Sequence, residues 1–159
     1  MNGREFERGL KECQGALYGF LVRLMGNPEE AKEAMQTAVL KAWEARDGLK
    51  ERSRFRAWLF RIAANVAADM MRRKERFTEM GDLPTTDADP LILEEERSRL
   101  QRAIGELPER QRMALLLKVY GELKYSEIAR AMDLTEGAVK AHIHHALRKL
   151  KEALREDEV

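Results

Sequence analysis

A run of twenty residues, FTEMGDLPTTDADPLILEEE from Phe77 to Glu96, carries seven acidic residues and neither lysine nor arginine. It holds two of the chain's four prolines and lacks helical spacing of apolar residues before about Leu91. Such a stretch cannot build a core of its own, so it divides the 159-residue chain into two small units. The expected organisation is a first domain over residues 1–76, a linker over 77–91 and a second domain over 92–159. The linker's acidity suits a strand threading a basic channel, and it equally suits a plain solvated connection.

Both flanks are helical in pattern, with abundant Ala, Leu, Arg, Glu and Met and no alternating stretches, so the predicted fold class is all-α. A first helix is expected from about Arg4 to Met25, broken at GNPEE, where Asn27 can cap and Pro28 suits the first helical position. A second runs to about Arg46, with Ala31, Ala34, Met35, Ala38, Val39, Ala42 and Trp43 recurring as a buried stripe. After DGLKERS, a third helix places Phe55, Leu59, Ile62, Val66 and Met70 on one face. Its cations Arg56, Arg61, Arg72, Arg73, Lys74 and Arg76 are left for solvent or a polyanion. The second block reads as four helices, the first two separated at Leu107-Pro108.

KYSEIARAMDLTEGAVKAHIHHALRKL, residues 124–150, has the makings of a helix-turn-helix. Ile128 and Ala129 supply a small apolar face, Asp133-Leu134 the tight turn, and Thr135 the cap of the second helix. In that second helix Val139, Ile143, Ala146, Leu147, Leu150 and Leu154 form an expected core stripe. Lys140, Ala141, His142, His144, His145 and Arg148 face away from it. A lysine reaches a guanine edge or a phosphate, imidazoles do either, and an alanine permits close approach or contact with a thymine methyl. The formal net charge of +1 conceals a useful asymmetry. Residues 1–76 carry 16 Lys and Arg against 11 Asp and Glu, and residues 97–159 carry 13 against 10, so both helical blocks are basic.

Other chemistries find little support. His142, His144 and His145 are spaced by two and by one, which does not gather ligands on one helix face, and no metal is expected. There is no glycine-rich phosphate loop, no carboxylate pair among apolar neighbours and no nucleophile beside a base, so neither enzymatic activity nor a cofactor is expected. The lone Cys13 cannot form an internal disulfide and reads as a buried, inert thiol. No apolar run approaches membrane-span length and the charged N-terminus is no signal peptide; the expectation is a cytoplasmic protein.

FRAWLFRIAANVAADMMRR, ahead of the linker, resembles the core of region two in bacterial sigma factors of the extracytoplasmic-function class, group four of the sigma-70 family. Phe55 through Leu59, Arg61 through Ala63, Asn65 and Asp69 stand in that family's register. Residues 107–150 resemble region four of the same family, and the resemblance covers nearly the whole chain. It implies a region-two helical bundle and a region-four helix-turn-helix domain, both binding the RNA polymerase core at its clamp helices and flap. The first opens and holds the minus-ten element of promoter DNA, and the second docks on the minus-thirty-five element through Thr135, Lys140, Ala141, His142, His144, His145 and Arg148. By position, the family's flipped-base pocket falls on Ala45, Leu49, Arg61, Ile62 and Asn65, and the polymerase contact on Glu30, Glu33, Gln36 and Lys41. Lys32 and Thr37 stand where acids are usual. An anti-sigma protein is a further implied partner. The competing readings are a helix-turn-helix regulator with a sensing or dimerising N-terminal domain, and a sigma-like adaptor that sequesters an anti-sigma protein.

Overall fold

The computed structural model describes residues 1–78 and 95–156. The expected linker, residues 77–91, lies almost wholly outside them. The described residues form seven α-helices: α1 (Gly3–Met25), α2 (Pro28–Glu44), α3 (Phe55–Thr78), α4 (Glu95–Gly105), α5 (Glu109–Val119), α6 (Tyr125–Met132) and α7 (Glu136–Glu156). Two single 3-10 turns, Arg46–Gly48 and Arg52–Arg54, lie between α2 and α3.

Local signals set the helix ends. Asn2 and Glu5 form a reciprocal capping box on α1, and Gly26 closes that helix at φ 71°, a left-handed conformation that glycine adopts without steric cost. The Asn27 side chain accepts from the backbone N–H groups of Glu29 at 2.9 Å and Glu30 at 3.2 Å, and Pro28 opens α2. The four alanines Ala31, Ala34, Ala38 and Ala42 are fully buried, letting α2 lie close against α1 and α3. Around them pack Leu17, Phe20, Leu21 and Leu24 of α1 with Leu59, Phe60, Ala63 and Ala67 of α3; the Phe20 and Phe60 rings are 5.5 Å apart.

Two stripe expectations fail at their edges. Trp43 is 38% exposed, and in α7 Leu147 is 53% and Leu154 37% exposed. At about 100° per residue, Leu147 and Leu154 lie roughly 80° and 60° around from Val139, whereas Ala146 and Leu150 lie within about 20° of it. Trp43 lies still further, about 120°, from Ala31.

The two units are packed together, α1 against α4 and α5 and α3 against α6. Arg56, expected among the cations left for solvent or a polyanion, is instead committed to this contact. Its Nε donates to the Gly121 carbonyl and its terminal nitrogen to the Tyr120 carbonyl, both at 2.6 Å.

Candidate nucleic-acid interface

The helix-turn-helix is α6, the turn at Asp133-Leu134, and α7. Asp133 takes the left-handed conformation at φ 56°, and the Leu134 N–H donates to the Ala129 carbonyl at 2.9 Å, which closes the turn tightly. The Thr135 hydroxyl accepts from the Ala138 N–H at 3.1 Å and caps α7. Ile128 and Ala129 of α6 are buried with Val139, Ile143, Ala146 and Leu150 of α7. This packing holds the second helix rigidly with its opposite face outward.

On that outward face Lys140, Ala141, His144 and Arg148 are exposed within one arc, while His142 and His145 lie half-buried towards one edge. The fold thus brings four of the expected contact residues together and sets two to the side. An Arg148 guanidinium nitrogen is 3.2 Å from His145 Nδ1, so the imidazole's position is tied to the arginine's. The Lys140 ammonium lies 5.4 Å from the Tyr125 ring centroid and Lys118 lies 4.5 Å from the same centroid. Tyr125, at the first turn of α6, therefore sits between two cations, one of them on α7.

A second polar face lies on α3. Arg61 and Asn65 are exposed and one turn apart, followed by Asp69 and Arg72, which form an ion pair. Ile62 is half-buried, Ala45 is exposed at the end of α2, and Leu49 is turned inward at 9% exposure. Beside Ala45, the Arg46 guanidinium stacks 3.8 Å from the Trp43 ring centroid. On α3, the Arg61 cation and the Asn65 amide offer a single nucleic-acid strand charge for phosphate and a hydrogen-bonding group for a base edge.

The third surface is the outer side of α2. Glu33, Gln36 and Lys41 are exposed, but Glu30 is half-buried and its carboxylate accepts from Lys74 Nζ at 2.8 Å. The sequence reading overlooked Leu40, which is 58% exposed opposite the alanine stripe. The signal was available, since nine residues beyond Ala31 amount to about half a turn around the helix. Leu40, Gln36, Val39 and Met35, with Phe6 and Leu10 of α1, line an open apolar groove of about 590 Å³. Cys13 is 4% exposed, its thiol donates to the Gly9 carbonyl at 3.0 Å, and burial pushes its pKa up against the opposing pull of the nearby Arg56.

Among the described residues no group of three His, Cys, Asp or Glu side chains is placed to hold a metal, and no helix is long and apolar enough to cross a membrane.

Comparison with known proteins agrees with this layout. Residues 10–77 match Sigma-70 region 2 and residues 97–150 match Sigma-70, region 4. The extracytoplasmic-function (ECF) RNA polymerase sigma factor RpoE of Cereibacter sphaeroides is 32% identical, over 84% of this chain and 77% of its own. Among solved structures, the sigma factor RpoE in complex with the anti-sigma factor NepR from Bartonella quintana superposes with a TM-score of 0.79 at 23% identity, over 96% of this chain and 98% of that one. CnrH, in complex with the cytosolic domain of CnrY, superposes with a TM-score of 0.72 at 26% identity, over 98% and 91%. The chain belongs to the sigma-70 family of RNA polymerase sigma factors, within its ECF group.

Proposed function

We propose that this sigma factor divides promoter recognition between its two helical units, residues 1–76 and 92–159, joined by the acidic linker at 77–91. In this reading α7 enters the major groove of the minus-thirty-five element. Lys140, Ala141, His144 and Arg148 face the base edges and phosphates, and Thr135, His142 and His145 flank them. Arg61 and Asn65 on α3 meet the displaced strand of the minus-ten element, and Asn65 hydrogen-bonds the edge of a flipped base. Ala45, Ile62 and the inward Leu49 form the pocket wall.

Core polymerase is held by the outer face of α2. Glu33, Gln36 and Lys41 give polar contacts around the exposed Leu40, and Glu30 acts indirectly by tying α2 to α3 through Lys74. The protein works in the cytoplasm and is restrained by an anti-sigma partner; the complexes of RpoE with NepR and of CnrH with CnrY support that last element.

The observation that carries the reading is the division of α7 into a buried stripe, Val139, Ile143, Ala146 and Leu150, and an exposed arc that carries Lys140, Ala141, His144 and Arg148. The test is run-off transcription on pooled genomic fragments with purified core polymerase, with and without this protein. New start sites preceded by a common pair of motifs are the expected result. No new starts, together with no co-migration of protein and core on a sizing column, would transfer the reading to a regulator or adaptor acting apart from polymerase.

A further inference from the structure

The chain's three histidines all lie on α7, and one of them is joined to an arginine. His145 Nδ1 is 3.2 Å from a terminal nitrogen of the Arg148 guanidinium, one turn along the helix. A guanidinium carries donors only, so in this contact Nδ1 is the acceptor and the ring proton resides on Nε2. The pair therefore requires a neutral imidazole, in one of its two tautomers. Glu152 stands at ion-pair spacing beyond Arg148, yet among the described residues the arginine meets the imidazole and no carboxylate.

The two side chains differ in freedom. Arg148 is exposed, long and rotamer-rich, whereas His145 is shorter, stiffer and half-buried at the edge of the packed face. An unrestrained arginine reaches DNA from many rotamers, and ordering it there weakens binding by about 2- to 12-fold. A contact that orders it beforehand removes that loss. Held through one N–H, the guanidinium keeps enough donors for the parallel pair that grips O6 and N7 of guanine.

Resting on the reading that α7 docks on the minus-thirty-five element, we infer that Arg148 reads a guanine there and that neutral His145 is the residue that positions it. The imidazole acts through the arginine. Its neighbours on α7 are Arg148, the His144 ring with centroids 6.1 Å apart and, one turn off, His142 and Lys149. α4, α5 and α6 pack against α7, and among the described residues none of their charged side chains hydrogen-bonds or ion-pairs with His145. A proton on Nδ1 removes the acceptor and sets two cations side by side. The positioning is thus present while the ring is neutral and is lost as pH falls through the histidine range, between about pH 8 and pH 5.

Two measurements test this. In the free protein at about pH 8, NMR shifts of the ring nitrogens are expected to show His145 with a bare Nδ1 and a protonated Nε2, and to show both tautomers in Arg148→Ala. A proton on Nδ1, or a tautomer ratio that Arg148→Ala leaves unchanged, would overturn the inference. The second is a double-mutant cycle of wild type, His145→Ala, Arg148→Ala and the double variant, each with core polymerase. Alanine is a strong helix former at both positions, so the fold is retained. The four are titrated with promoter duplexes varied at each upstream guanine. At about pH 8, Arg148→Ala is expected to lose about 5- to 150-fold in preference for one guanine and His145→Ala about 2- to 12-fold at the same position. The double variant should lose no more than Arg148→Ala alone, and at about pH 5.5 His145→Ala should cost nothing at that guanine. Unchanged guanine preference in Arg148→Ala, additive losses at the higher pH, or coupling that persists at the lower would each overturn the inference and leave the docking of α7 in place. Full binding by both Arg148→Ala and Lys140→Ala would overturn the docking and the inference together.

Discussion

Lys140→Ala separates recognition from stability. In the free protein Lys140 is exposed, and among the described residues its ammonium meets the Tyr125 ring, 5.4 Å from the centroid, a ring that retains Lys118 at 4.5 Å when Lys140 is removed. A cation over an exposed ring contributes about 0.5–1 kcal/mol, and alanine is the better helix former, so the unfolding free energy is expected to change by less than about 1 kcal/mol. In the proposed docking of α7 the same side chain would supply a base-edge or phosphate contact, and its loss is expected to cost about 1–3 kcal/mol, roughly 5- to 150-fold in affinity. The assay is titration of promoter duplex with core polymerase plus protein at several salt concentrations, alongside a thermal melt. A phosphate contact would lower the magnitude of the log-affinity versus log-salt slope by about 0.9, with equal losses on all sequences. A base contact would leave the slope nearly unchanged and concentrate the loss on the cognate upstream element. An unchanged affinity with an unchanged slope would refute the orientation argued for α7, and a large fall in melting temperature would show that Lys140 belongs to the fold.

Leu40→Gln removes an apolar group already 58% exposed, so folding stability should change by less than about 0.5 kcal/mol while the affinity for core polymerase falls at least about tenfold in a fluorescence binding assay. Thr135→Val deletes the hydroxyl that accepts from the Ala138 N–H and should cost about 1 kcal/mol in urea unfolding, with the m-value retained. Cys13 is 4% exposed with its thiol pKa raised by burial, so at pH 8 a thiol reagent should label it far more slowly in the native protein than in denaturant; equal rates would contradict its placement.

What the sequence disclosed was mostly local. Asn27, Thr135 and the Asp133-Leu134 turn were legible because a cap or turn depends on neighbours within four residues. The alanine stripe of α2 was legible because burial on a helix follows a fixed period. Leu147 and Leu154 were misassigned as core because periodicity gives a direction without a width, and the neighbouring helices cover only the centre of the stripe. Arg56 was beyond sequence reasoning altogether: its acceptors are backbone carbonyls, which leave no residue signature, and they lie 64 and 65 positions away. Leu49 shows a related limit, since position within a motif assigns it to a pocket but only packing reveals that its side chain points inward.

The central claim is that α3 opens DNA while α7 docks on it, and permanganate footprinting of thymines in a promoter from the run-off assay tests it most directly, with Asn65→Ala and Lys140→Ala compared in complex with core polymerase. The account predicts that Asn65→Ala keeps upstream occupancy but loses permanganate reactivity at the minus-ten element. Lys140→Ala is predicted to lose occupancy and to recover full reactivity when the complex is supplied at saturating concentration. Normal opening by Asn65→Ala, or loss of docking and opening together in both variants, would contradict the division of labour between the two helices.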